Sequence, residues 1–596
     1  MKNREAGNLG RWLVVAAVFA SSTLTVAARD AYVLLSGGGT PLINNYSQLL
    51  QARGVAAQWR RTYPKDSVWI FFGIGNREGE PVQLADVRRQ VKEEDVARET
   101  WLPGVLPGNR PARKAGFLRA LREEILPAVH DGGTLFLFVG DHGELAKTEP
   151  KESVITLWQL EKSGDGWRTN PEEELSVTEL REALAAGLGR GRVVFCMTQC
   201  YSGGFHHLGV PREVRPPADW FTTVPERAAP RATQSQPLAA GFTATDEESV
   251  AAGCVADPDP ARWTGYERYT PEALLGVDLL ADRKPGAGMG SYAAAHEAAV
   301  LVDQTIDKPR SSSEQFLERW AAAIEILAKE KNLRSDVQAQ VTAYGQAVDH
   351  GLATADDPAF VAKRDQFTSY IARMAEQNKT AATLITSGPR EKLVQAFGGQ
   401  RPTSRPPSSR PMPSSPQSKA WMETIRPAWK AALERGARSE LVPAGALEFE
   451  RHLLAQEDAG ADYMNPLGGK RVMLNDLYWQ SGYALPDRVD ERKALAVTRW
   501  GEMRRQAVYE WAKNSPDPLI RTAAEKLAPP RRLGTSPLAP APALAQNIAA
   551  ERTLFYRRTL AAWAFLLAMR QEAVLAQLQR LIELESTPLP TGAKAS

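Results

Sequence analysis

From Tyr32 to about Trp320, short unbroken apolar runs alternate with stretches of helical period. Tyr32–Ser36, Val68–Gly73, Thr134–Gly140 and Arg192–Met197 are β-branched and aromatic, lack polar alternation and end at Gly or polar residues. Such runs predict buried strands. Between them, 46–53 and 114–126 repeat apolar residues every three or four positions, as in Phe117, Leu118, Leu121 and Ile125. Ser176-Val177-Thr178-Glu179 is a capping box opening a helix with Leu180, Leu184 and Leu188 inward, stopped by Gly187 and Gly189. Val154–Leu160, followed by Gly164-Asp165-Gly166, predicts a strand in a hairpin, and Leu238–Thr245 a further strand. The alternation predicts an α/β fold, a mostly parallel sheet with helices on both faces.

After about Phe316 the strand patterns stop. Phe316, Trp320, Ile324 and Leu327 form a helical stripe. Residues 400–418 are rich in Pro, Ser and Arg, which predicts an extended linker. Trp421, Ile425, Trp429 and Leu433 share a face, with Pro427 bending or starting their helix. A last long helix is expected from about Leu544 to Leu584, lined by Trp563, Leu567, Val574, Leu578 and Leu581. The expected units are 1–28, a signal peptide; 29–325, the α/β domain; 326–399, a helical extension; 400–418, the linker; and 419–596, a helical bundle domain. The all-α C-terminal half is expected to serve as an internal cap over the cleft or as a partner-binding module.

The N-terminus adds a location. Lys2, Arg4 and Arg11 precede an apolar core from Trp12 to Ala20, and Val26-Ala27-Ala28 offers a cleavage site. The core is too short to span a bilayer, so export without stable membrane insertion is expected. The apolar stretch from Leu560 to Met569 is about half a membrane thickness and predicts a buried helix. The charge of +3, from 73 basic and 70 acidic residues, gives no whole-chain argument for nucleic acid. The three cysteines, Cys196, Cys200 and Cys254, make no disulfide framework and leave at least one thiol free. Cys196 and Cys254 fit buried inert thiols. Cys200, followed by a small-residue turn, fits a reactive one.

Candidate chemistry lies at two strand ends. Val139-Gly140-Asp141-His142-Gly143 closes one apolar run, and Gln199-Cys200-Tyr201-Ser202-Gly203-Gly204 closes another. On neighbouring parallel strands, the imidazole and thiol would meet at the carboxyl edge, where open α/β sheets carry ligands. His142 would take the Cys200 proton or hold a thiolate. Gly143, with no side chain, would present its N–H to a substrate carbonyl, with the N–H of Cys200 as second donor. Gly203 and Gly204 would let a substrate backbone approach. The reaction implied is peptide hydrolysis through a thioester, with no cofactor and no metal. Ser36-Gly37-Gly38-Gly39-Thr40 lacks dinucleotide spacing and a P-loop Lys, so it predicts a tight turn. His206 and His207 read as exposed loop histidines and His296 as a structural one. Arg88-Arg89 and Lys92-Glu93-Glu94-Asp95 read as solvated helix faces.

The segment from Tyr32 to about Trp320 resembles the legumain (asparaginyl endopeptidase) family of caspase-like cysteine peptidases. The matching pieces are Tyr32–Gly37, Asn45-Tyr46, Phe138–Gly143, Glu174–Leu180, Gln199–Gly203 and, more loosely, Thr243–Ser249. The resemblance implies a caspase-like sheet sandwiched by helices, making 29–325 a peptidase domain. It implies Cys200 as nucleophile, His142 as catalytic histidine and Asn45 near that histidine. Ser47, Thr198 and Ser249 fall on the substrate side. Two positions depart from the family. Ser47 stands where it carries a pocket-lining Arg, and Thr198 where it carries a Glu. The implied protein or peptide substrate is therefore not strictly one with Asn before the cut. A scaffold that has lost turnover, and a transpeptidase using the same thioester, are the alternatives.

Overall fold

The computed structural model describes residues 29–39, 43–76, 87–93, 96–102, 105–147, 149, 151–163, 166–170, 172–223, 238–254, 263–280, 290–398, 419–435, 442, 446–458, 500, 504, 507–527 and 542–590. The expected signal peptide and the linker at 400–418 lie outside these residues.

Ten strands frame the site: β1 (Ala31–Ser36), β2 (Val68–Phe72), β3 (Asn109–Arg110), β4 (Thr134–Gly140), β5 (His142–Leu145), β6 (Ser153–Thr156), β7 (Glu174–Ser176), β8 (Arg192–Met197), β9 (Ala239–Thr243) and β10 (Arg310–Ser311). Seven make one sheet in the order β10-β9-β8-β4-β1-β2-β3. Every neighbour pair is parallel except β9 with β10. The chain builds outward from β1 to β3, then restarts on the other side of β1 with β4. Strand order therefore reverses between β1 and β4, which opens a crevice at their carboxyl ends.

Residues with alternate parity on the central strands feed two separate cores. Val33, Leu35, Leu137, Val139, Val193 and Phe195 face one side. Tyr32, Leu34, Phe136, Phe138, Val194 and Cys196 face the other. This double burial is why the strands read as continuous apolar runs. Helix α1 (Tyr46–Thr62) covers the second face with Leu49, Ala52, Val55 and Trp59. Helix α2 (Lys114–Ala120), continued to Val129, and helix α3 (Val177–Gly187) cover the first with Phe117, Leu121, Ile125, Leu180 and Leu184. Full burial of each such side chain is worth about 1.5–3 kcal/mol. The capping box at Ser176 forms as expected, its hydroxyl accepting from the Glu179 N–H at 3.1 Å. Helices α4 (Tyr266–Leu274) and α5 (Tyr292–Val302) complete the second face, adding Tyr266, Tyr269 and Tyr292.

Several local expectations are corrected. Val154–Leu160 is not one strand. β6 ends at Thr156 and joins β5 and β7 in a small antiparallel sheet, while Leu160–Ser163 pairs with Gly166–Thr169. Arg88-Arg89 and Lys92-Glu93 lie in strand Val87–Glu93, paired antiparallel with Val96–Leu102, because ladder pairing overrides their polar composition. The expected helix from 544 to 584 is two, Pro542–Ala568 and Glu572–Glu585, with Arg570 in the left-handed region at φ 51° between them. Such a conformation ends a helix. His206 and His207 are buried rather than exposed. His206 bonds the hydroxyls of Ser312 and Thr243, and His207 bonds Glu247.

Packing in the C-terminal half does not follow chain order. Helices α6 (Ser312–Leu327), α7 (Ser335–His350), α8 (Pro358–Gln377) and α9 (Arg390–Gly398) surround the long helix α10 (Pro542–Ala568). The last helix, α11 (Glu572–Glu585), packs on α6 and β9. Tyr556, Leu560, Trp563, Leu566 and Leu578 share one hydrophobic core with Phe316, Trp320 and Phe360. Trp421, Ile425, Trp429, Phe449, Trp500 and Val508 belong instead to the cluster under the first face of the sheet. Residues 542–590 are therefore core elements beside β9, not part of one bundle with 419–527. Among the described residues, no helix is long and apolar enough to cross a membrane.

Candidate active site

Parallel pairing of β4 with β8, in register from Arg192↔Thr134 to Met197↔Val139, brings the two strand-end motifs side by side. The closeness is measured by Gly143. A Cβ added there would stand 1.9 Å from the Cys200 carbonyl oxygen and 2.8 Å from Gln199 Cγ. The main chain beside His142 thus lies against the main chain of Cys200, and only glycine fits between them. Past Cys200, Tyr201 takes a left-handed conformation at φ 55° and its N–H donates to the Ser249 carbonyl at 2.8 Å.

Asp141 anchors the histidine. Its Oδ1 accepts from the His142 N–H and from the Gly38 N–H, each at 2.7 Å. Gly38 sits so tightly that a Cβ would lie 1.6 Å from the Thr156 carbonyl. The triple-glycine turn after β1 therefore serves close packing on the histidine loop, as a tight turn and not as a phosphate cradle. Burial pushes the Asp141 carboxyl up to about 7.

The imidazole has a fixed tautomer. Nε2 lies 2.6 Å from the Ile43 carbonyl, which only accepts, so Nε2 carries the proton. Nδ1 is then an acceptor, and burial lowers the basicity of His142. The thiol at Nδ1 is that of Cys254, at 3.2 Å. Expected as an inert buried thiol, Cys254 is half-buried and faces the histidine, and burial pushes its thiol well above the ordinary value. It holds a left-handed backbone at φ 58°. Its carbonyl accepts from Asn45 Nδ2 at 2.9 Å, and Gln48 Nε2 lies 3.8 Å from its sulfur. Asn45 thus reaches the residue that faces the histidine, while the carbonyl on the histidine belongs to Ile43. Cys196 is fully buried in β8, within the core that α1 covers.

Cys200 Sγ accepts the Ala251 N–H at 3.3 Å and lies 3.9 Å from the Ala251 carbonyl. Burial is the largest influence on this thiol, with Asp307 and Glu267 adding negative field, and raises it to about 11. A histidine-stabilised thiolate is the opposite expectation. Alkylation of Cys200 by iodoacetamide should therefore climb about tenfold per pH unit from 7 to 9, with no plateau, because only the thiolate reacts. Site-resolved mass spectrometry measures this. A plateau below pH 8 would mean that Cys200 rests as a thiolate paired with His142.

The three substrate-side candidates separate. Ser47 and Thr198 are buried beside one another's partners. Thr198 Oγ1 donates to Gln51 Oε1 at 3.2 Å, and Gln51 Nε2 donates to Glu267 Oε1 at 3.0 Å. Glu267 also accepts from the Ser47 hydroxyl and the Cys254 N–H. Burial pushes this carboxyl up to about 7. Ser249 lies elsewhere, on the loop beyond β9, where its hydroxyl accepts from Lys308 Nζ at 3.0 Å. Gly203 and Gly204 are buried in a 3-10 turn, packed against Asp246 and Ser153, so they serve packing and not substrate approach.

Ile43, Cys254 and Glu267 were not among the sequence candidates. Ile43 acts through its carbonyl, which no side chain signals. Glu267 opens a helix, where an acidic residue reads as an ordinary partner of the helix dipole. Only Cys254 carried a signal, as one of three cysteines that form no disulfide framework. Compared with known proteins, the chain matches no family model, and no curated protein matches it.

Proposed function

We propose that this chain is an exported cysteine endopeptidase of caspase-like fold, similar to the legumain family, with Cys200 as nucleophile and His142 as base. The contact of the Gly143 main chain with the Cys200 carbonyl carries the reading, because it joins the two strand-end motifs at one sheet edge. The Ile43 carbonyl supports it by leaving His142 Nδ1 free of its own proton. Cys200 Sγ attacks the scissile carbonyl carbon and its proton passes to Nδ1. The C–N bond breaks, and the amine leaves with that proton. Water then adds to the thioester carbonyl, giving a carboxylic acid and the free thiol. The Gly143 N–H is the proposed donor to the developing oxyanion. For this to run, the Cys254 thiol leaves Nδ1 when substrate enters.

Around Glu267, Ser47 and Thr198 supply hydroxyls where the family carries an Arg and a Glu. A pocket of this composition does not select Asn alone. Export is supported by the charged, apolar and small-residue pattern of the first 28 residues.

Two observations favour a second reading. Cys254 at His142 and a high Cys200 thiol describe a quiescent centre, as in a scaffold that binds peptides without turnover. Incubating the full chain and its Cys254→Ser variant with a diverse peptide library, followed by mass spectrometry, separates the two. Defined cleavage by either protein supports the peptidase. Intact peptides with both would overturn it and leave the scaffold.

A further inference from the structure

The loop after β9 lies over Cys200: the Ala251 N–H reaches its sulfur, and the Ser249 carbonyl receives the Tyr201 N–H. This loop has no ladder of its own and is fixed by residues 307–310. The Ala252 N–H donates to Asp307 Oδ1, and Lys308 Nζ contacts Asp246 at 3.3 Å and the Ser249 hydroxyl. Arg310 lies 3.5 Å from Asp246.

The frame is in turn held by one face of α10. Arg552 Nε donates to the Asp307 carbonyl at 2.9 Å. Its Nη1 donates to the Asp303 carbonyl at 2.9 Å, and Nη2 pairs with the Asp303 carboxylate at 3.1 Å. Glu551 pairs with Lys308 at 2.7 Å. One turn on, the Phe555 ring stacks under the Arg310 guanidinium at 4.4 Å. A planar guanidinium with several fixed donors suits two backbone carbonyls and a carboxylate at once.

We propose that Glu551 and Arg552 are positioning residues for the active-site loop, holding residues 246–252 over Cys200 through Asp307 and Lys308. Helix α10 is then a working part of the site, set behind it rather than across its mouth. The inference deepens the peptidase reading, and only its turnover arm rests on that reading.

The test uses the full chain with Glu551→Gln and Arg552→Met, reading Cys200 alkylation by iodoacetamide at fixed pH together with kcat and KM on a cleaved peptide. Loosening the loop uncovers the sulfur, so alkylation should rise several-fold, up to about tenfold. KM should rise more than kcat falls, with circular dichroism unchanged. Glu551 is partly exposed, so its variant still tests the loop if Arg552→Met does not fold. Wild-type alkylation rate and pH profile in a folded variant would overturn the proposal. If no peptide is cleaved but alkylation rises in the variants, the positioning role stands and the peptidase reading falls.

Discussion

Replacing Cys200 with alanine is expected to abolish peptide hydrolysis, a loss on the order of 10⁴-fold or more in kcat/KM, while the protein stays folded. The sulfur gives up one hydrogen bond from the Ala251 N–H, worth about 1 kcal/mol. The remainder of the strand end is held by the backbone, as in the Tyr201 N–H bond to Ser249. Initial rates on a cleaved peptide, read beside the thermal midpoint, check both halves. Cys196 cannot substitute, since it is sealed in the core. Cys254 contacts the base at 3.2 Å, so residual turnover in Cys200→Ala, removed by adding Cys254→Ala, would reassign the nucleophile. Wild-type turnover in the double variant would end the cysteine peptidase reading.

Gly143→Ala is expected to cost about 100-fold in kcat/KM and about 1–3 kcal/mol in stability. The new methyl would occupy the place of the Cys200 carbonyl oxygen, and that oxygen is backbone with no rotamer to escape into. One strand end must move, which displaces His142 from the thiol it serves. Gly116→Ala is the matched control. It lies in α2 with nothing within 4 Å of an added Cβ, so it should leave activity unchanged and be neutral or stabilising by up to about 1 kcal/mol. Urea unfolding and steady-state kinetics on the pair read the difference. Equal effects at the two positions would mean that the tight approach of Gly143 is unimportant.

The parts of the fold legible in the sequence are those set by burial on both sides. β1, β2, β4 and β8 have no polar face, so their runs could be read without any partner strand. The strand-end motifs were legible for the same reason, since His142 and Cys200 follow such runs directly. The immediate surroundings of the imidazole were not. Its two partners are Ile43, 99 residues away, and Cys254, 112 residues away. One contributes only a backbone atom, and the other sits on a loop with no period to read. The break at Arg570 was missed because the flanking apolar residues keep a helical period through it, and the backbone reverses for packing on α6 and β9. The antiparallel pair of Val87–Glu93 with Val96–Leu102 was missed because its charges match a solvated helix as well as a strand.

The bonds from Arg552 to Asp307 span 245 residues of chain. Synthesis at roughly 5–20 residues per second spaces those residues by about 10–50 s. Throughout that interval Cys200, His142 and the residues of the parallel strands have been made, but the clamp on the loop above the sulfur has not. The order of residues along the chain thus acts as a clock. The thiol is made early and the residues that complete its enclosure are made late, so for that period the nascent chain carries the thiol without its clamp.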